Sequence, residues 1–168
     1  MLDWGGGMGH YYLISQALVP DLEIDYSCKD LAGVAREGQE LFPQAHFYTD
    51  DSCLDRQYDF ILVSSSLQYS ADWDVLLRRL ALACSGYLLV TKLPITHVSG
   101  SYVFVQRPHQ YGYQTDYHAW CLNRTDFLTE AASAGLEVVR EFTIGLTIDV
   151  RGAPEPSEYR GFLFRIAA

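Results

Sequence analysis

"LDWGGGMGHYY", Leu2 to Tyr12, places four glycines in five positions directly after an acid and a tryptophan. Ordered glycine costs conformational entropy, so a cluster of this density marks a turn where the backbone approaches another group closely. "MLDW" before it reads as the end of a strand, and "HYYLISQAL" after it has helical spacing. The loop therefore carries a strand into a helix.

Two phosphate-binding readings of that loop fail. A dinucleotide site wants G-x-G-x-x-G. Counted from Gly5, the third glycine falls on His10; counted from Gly7, it falls on Tyr12. A P-loop needs G-K-[ST], and none follows. What remains is Asp3, Gly5, Gly7 and Gly9 in D-x-G-x-G-x-G.

Outward from the loop, strands and helices alternate. "LEIDY" (22–26) reads as a strand ending at Asp25, and "CKDLAGVAREGQELF" (28–42) as a helix striped by Leu31, Val34, Ala35 and Leu41. Gly33 and Gly38 weaken that helix. "AHFYT" is a strand ending at Asp50 and Asp51, and "YDFILVSSS" (58–66) has the continuous apolar run of a buried parallel strand. "ADWDVLLRRLALAC" reads as an amphipathic helix capped by Asp72, and "GYLLVTKLP" as another buried strand. His97 to Cys121 is irregular or hairpin-like. Asn123, with an acid three positions on and Gly135 at its close, frames a helix. The last two strands, "LEVVREFTI" and "GFLFRIAA", have no helix between them and are expected to pair as an antiparallel hairpin. The expected fold is α/β, a Rossmann-like, mostly parallel sheet with helices on both faces. It forms a single domain over residues 1–168, with an aromatic-rich insertion at about 95–121.

Composition narrows the partners. The chain has 168 residues and a formal charge of -9, which argues against nucleic-acid binding. No apolar run is long enough to span a bilayer. Cys28, Cys53, Cys84 and Cys121 form no C-x-x-C pair, so they read as reduced cytoplasmic thiols, with no metal site.

The glycine loop resembles motif I of the class I S-adenosylmethionine-dependent methyltransferases. The resemblance implies S-adenosylmethionine as cofactor, with Asp3 anchoring its amino group and Gly5, Gly7 and Gly9 passing beneath it. It puts Asp25 on both ribose hydroxyls, Tyr26 against the adenine, and Asp50 or Asp51 on the adenine amine. "YDFILVSSSLQY" is similar to motif IV, with Ser64 and Leu67 beside the cofactor and Tyr69 near the methyl group. Through "QRPHQYGYQTDYHAW" the second half resembles bacterial methyltransferases encoded near surface-polysaccharide genes. That implies a small-molecule or sugar-type acceptor, with Arg107, Tyr111 (or Tyr113) and Tyr117 as substrate residues. The family's usual Pro before Ala-Trp is His118 here. If the acceptor requires a base, His118 is the first candidate and Asp116 the second. The family carries helices before motif I, whereas this sequence starts inside the first strand. Uncovered apolar surface is then expected, and with it either a homodimer or a monomer of low stability and weak cofactor affinity. The competing reading is a non-catalytic cofactor-binding or structural module.

Overall fold

The computed structural model describes residues 1–112 and 114–167, and their side chains except at 110, 111, 146 and 147. Five strands alternate with helices through the first half: β1 (Leu2–Trp4), α1 (His10–Leu18), β2 (Ser27–Lys29), α2 (Ala32–Leu41), β3 (His46–Tyr48), β4 (Tyr58–Ser64), α3 (Trp73–Leu82) and β5 (Cys84–Thr96). Then come β6 (Tyr102–Gln106), β7 (Tyr117–Asn123), α4 (Arg124–Ser133), β8 (Leu136–Ile148) and β9 (Ser157–Ile166).

The strands β3, β2, β1, β4 and β5 lie side by side and parallel. β9 runs antiparallel against β5 and pairs with β8 in the expected terminal hairpin. β6 and β7 form a second antiparallel hairpin, tied to the end of β5 through Ile95–Leu122 and Thr96–Asn123.

Alternation across the pleat assigns the two faces. Leu2 and Trp4 of β1, with Ile61, Val63, Leu88 and Val90, bury against Leu76, Leu77 and Leu80 of α3 and Phe127 of α4. The Phe127 ring meets that of Phe162 at 5.0 Å, and full burial of such a ring contributes about 1.5–3 kcal/mol. Asp3 and Cys28 point to the other face, where Tyr12, Tyr26 and Cys28 pack with Phe42 and Phe47. Asn123 caps α4 by accepting from the N–H groups of Thr125 (2.8 Å) and Asp126 (3.2 Å), and Gly135 closes it at φ +79°.

The second strand differs from expectation. β2 is Ser27–Lys29, not "LEIDY". Its register pairs Leu2 with Ser27 and Trp4 with Lys29, so Asp30 stands at the carboxyl end of the strand and Asp25 precedes the other end. The expected stripe on α2 holds only at Ala35: Ala35 and Gly38 are its buried residues, while Leu31 and Leu41 are exposed. Gly38 is required there because a Cβ would enter the Phe47 ring.

Candidate functional site

A cleft of about 800 Å³ opens beyond the carboxyl ends of β1, β2 and β4. β1 is flanked by β2 on one side and β4 on the other. The strand order reverses there, and open α/β sheets bind ligands at such a point.

Trp4 and Gly5, at the start of the glycine loop, line one side. Gly5, Gly7 and Gly9 all hold left-handed φ values, +73°, +64° and +89°, which side chains resist. Space matters as much as φ. A Cβ on Gly5 would overlap that of Ser66, and one on Gly6 would overlap the Asp3 carboxyl group. The Ser66 hydroxyl donates to the Trp4 carbonyl oxygen at 2.7 Å, fastening the end of β4 to the end of β1.

Asp3 lies beneath this loop with no exposed surface. The Tyr26 hydroxyl donates to its Oδ2 at 2.5 Å, while Oδ1 is buried without a partner. Burial pushes the carboxyl up to about 6, against the lowering effect of the Tyr26 bond and with a further rise from Asp30. The sign of the pH effect follows. A carboxyl raised in the fold favours the protonated protein, so its contribution to stability falls as pH rises from 3.8 through about 6. The rise from 3.8 to about 6 corresponds to about 3 kcal/mol. Asp3→Asn is therefore expected to stabilise the protein near neutral pH by up to about that amount, with no gain below pH ~4. Urea unfolding of both proteins across this range checks it; a gain independent of pH would contradict it.

Asp30, unlike Asp3, faces the cleft. Its Oδ2 accepts the Gly7 N–H at 2.8 Å and its Oδ1 the Leu31 N–H at 2.7 Å. These two bonds fix the carboxylate and join the glycine loop to β2. A carboxylate has about four acceptor positions, so both oxygens keep capacity for ligand hydroxyls. Asp51 lies further along, ion-paired with Arg79 of α3 and 3.8 Å from the Lys29 ammonium. Lys29 stands over the Trp4 ring at 4.4 Å. The opposite wall holds Tyr69, Tyr117 and Gln106. The Tyr69 hydroxyl donates to Gln106 Oε1 at 2.9 Å, and the Tyr69 and Tyr117 rings stand 6.1 Å apart.

Several expected residues lie elsewhere. Asp25 is exposed at the opposite end of the sheet, where it meets Arg56 (3.2 Å) and His46 (3.8 Å). Tyr26 is buried against Asp3 and Tyr12 and does not line the cleft. Asp50 is spent on capping the short turn at Asp51–Asp55 through the Ser52 N–H. Leu67 is wholly buried in the main core, and the Ser64 hydroxyl is engaged by Tyr11 at 2.9 Å. His118 faces away: it alternates with Tyr117, which lines the cleft, and pairs with the exposed Val105. Asp116 is exposed and bound by Arg107 (3.2 Å) and His109 (2.9 Å). Arg107 lines a neighbouring cavity instead of the cleft. The Tyr111 side chain and Tyr113 lie outside the described residues. Among the described residues, no histidine lines the cleft, and no cluster of side chains fit to hold a metal ion is present.

Asp30, Lys29, Arg79 and Gln106 were not anticipated. A signal for Asp30 existed: dinucleotide-binding folds place an acid about 20 residues beyond their glycine loop. Asp30 lies nearer that distance from Gly9 than Asp25 does.

Comparison with known proteins gives the fold. No protein-family model and no curated protein matches the chain. Solved structures do. An S-adenosylmethionine-dependent methyltransferase from Clostridium acetobutylicum ATCC 824 aligns with a TM-score of 0.67 at 12% identity, over 99% of this chain and 83% of that one. The O-methyltransferase from a trans-AT PKS multienzyme of Brevibacillus brevis, in complex with S-adenosyl-L-homocysteine, aligns at 0.71 and 15%, over 99% and 66%. The N-terminal domain of EvdMO1, crystallised in the presence of S-adenosylhomocysteine and D-fucose, aligns at 0.65 and 15%, over 99% and 75%. The chain has the fold of class I methyltransferases.

Proposed function

We propose that this chain is an S-adenosylmethionine-dependent methyltransferase acting on a small-molecule acceptor. The observation that carries this reading is a buried acid beneath the glycine loop together with a cleft-facing acid at the end of β2. Asp3 keeps an unpartnered buried oxygen beneath a glycine loop, and Asp30 presents a braced carboxylate beside it. The residues present suit the cofactor. Asp3 would take its ammonium group, Asp30 both ribose hydroxyls, and Asp51 the adenine amine. Tyr69 and Tyr117 would flank the sulfonium, whose charge an aromatic face attracts. When bound, the cofactor supplies an activated methyl group for in-line displacement by an acceptor lone pair.

The chain's own part is positioning, which alone can lower such a barrier substantially. With His118 and Asp116 turned away, the proton-accepting groups along the cleft are carboxylates. Burial raises the Tyr69 hydroxyl above its ordinary value, so Tyr69 serves as a hydrogen-bond donor near neutral pH and not as a base.

The saccharide type of acceptor rests on the resemblance to polysaccharide-associated methyltransferases, and D-fucose accompanies one structural neighbour. The four cysteines are free and buried, in keeping with a cytoplasmic enzyme, and no helix among the described residues is long and apolar enough to cross a membrane. Leu13, Leu18 and Leu22 are exposed on and after α1, which supports self-association as a homodimer.

Calorimetric titration with S-adenosylhomocysteine tests the proposal: saturable one-to-one binding is expected, and none at millimolar ligand would end it. NAD is expected not to compete, because His10 stands where a dinucleotide loop needs its third glycine. Displacement of S-adenosylhomocysteine by micromolar NAD would contradict this.

A further inference from the structure

A second cavity, of about 550 Å³, adjoins the cleft. Gln106 lines both. In the β6–β7 hairpin, Tyr102 lies opposite Cys121, Phe104 opposite Ala119 and Gln106 opposite Tyr117, so these side chains share one face. The Tyr102 hydroxyl and the Ser157 hydroxyl are 2.7 Å apart, which turns that face toward β9. Tyr159 of β9 completes an aromatic wall with Tyr102 and Phe104.

The facing wall is the segment from Ile148 to Ala153, and it is anchored. Just beyond it, the Glu155 carboxylate accepts the N–H groups of His97 (2.6 Å), Val98 (2.9 Å) and Ser99 (3.2 Å). This wall supplies Asp149 and Arg151. Arg107 also lines the cavity, but Asp116 holds it at 3.2 Å. Arg151 has no ion pair among the described residues.

We propose that this cavity receives the methyl acceptor, and that the acceptor is a pyranose-sized polyhydroxy ring carrying one anionic group held by Arg151. The inference rests on the methyltransferase reading of the adjoining cleft and names its substrate class. The size falls within the range of small-molecule sites. A sugar ring has C–H faces that pack flat on aromatic side chains. Its rim hydroxyls need both donors and acceptors, which the Gln106 amide and the Asp149 carboxylate supply. A guanidinium matches a carboxylate or phosphate with two parallel bonds. On a chain of formal charge -9, a cation on the cavity wall offsets the repulsion an anionic ligand meets. Gln106 is the junction. Its amide oxygen is taken by Tyr69, which leaves the amide N–H groups for the acceptor, at the edge where cleft and cavity meet.

The test is calorimetry on the full chain saturated with S-adenosylhomocysteine, using methyl β-D-glucuronide, D-glucose 1-phosphate and methyl β-D-glucoside. At least one anionic sugar is expected to bind tenfold or more tightly than the neutral glucoside. Arg151→Ala should erase that preference, and Phe104→Ala should weaken all sugar binding; both should leave S-adenosylhomocysteine affinity within twofold. Equal affinities, no sugar binding, or a preference that survives Arg151→Ala would overturn the proposal. Loss of S-adenosylhomocysteine binding in the parent protein would overturn the reading of the cleft instead, and the same sugar titrations on the protein alone would still decide the cavity.

Discussion

Asp30→Ala is expected to weaken S-adenosylhomocysteine binding at least a hundredfold, while Asp25→Ala leaves it within twofold. The size follows from the chemistry of the site. Asp30 would accept two ribose hydroxyls, and hydrogen bonds to a charged group contribute about 1.5–3 kcal/mol each. The substitution also removes the acceptor of the Gly7 N–H, so the glycine loop loses its brace to β2. Asp25 lies at the other end of the sheet with Arg56 and His46, and such exposed pairs contribute at most about 1 kcal/mol to stability. Titration calorimetry on the two variants separates the acids. Unchanged affinity in Asp30→Ala, with the fold intact by circular dichroism, would remove Asp30 from the site.

The second large effect is expected from Gly5→Ala. The residue holds φ +73°, and the added Cβ would overlap that of Ser66. Left-handed backbone costs a non-glycine residue about 1–2 kcal/mol, and forcing an atom into a packed interior typically adds about 1–3 kcal/mol. A loss of about 2–5 kcal/mol is expected in urea unfolding. Ser66→Gly in the same chain removes the overlapping atom and should recover the steric part, though not the conformational part. Gly5→Ala with stability unchanged would mean that the end of β1 and the end of β4 are not in contact.

Much of the fold could be read in the sequence because its signals are local. The run "YDFILVSSS" is apolar enough to be a central strand, and β4 is one. Asn123 and Gly135 bound α4 through their own chemistry, a side-chain cap and a left-handed φ. The glycine loop gave its position from spacing alone. The error at β2 has a physical origin. "LEIDYSCKD" contains three acids, Glu23, Asp25 and Asp30, and three-residue strands carry almost no periodicity. What fixed the register was pairing with β1 and the packing of Tyr26 under Asp3, neither of which is local. Catalytic candidates failed for a related reason. In the β6–β7 hairpin a shift of one residue changes the face. Composition put His118 and Tyr117 in one stretch; the pleat sends Tyr117 into the cleft and His118 away from it. Arg79 and Gln106 come from α3 and β6, far from the glycine loop in sequence, and reach the cleft only through tertiary packing.

The central claim is that the cofactor occupies the cleft between the glycine loop and Asp30. Amide hydrogen exchange with and without saturating S-adenosylhomocysteine tests it most directly. Protection is expected at Gly5–Gly9, Asp30–Leu31 and Ser65–Ser66, with no change around Asp25. Protection centred on another surface, or none in these segments at saturating ligand, would contradict it.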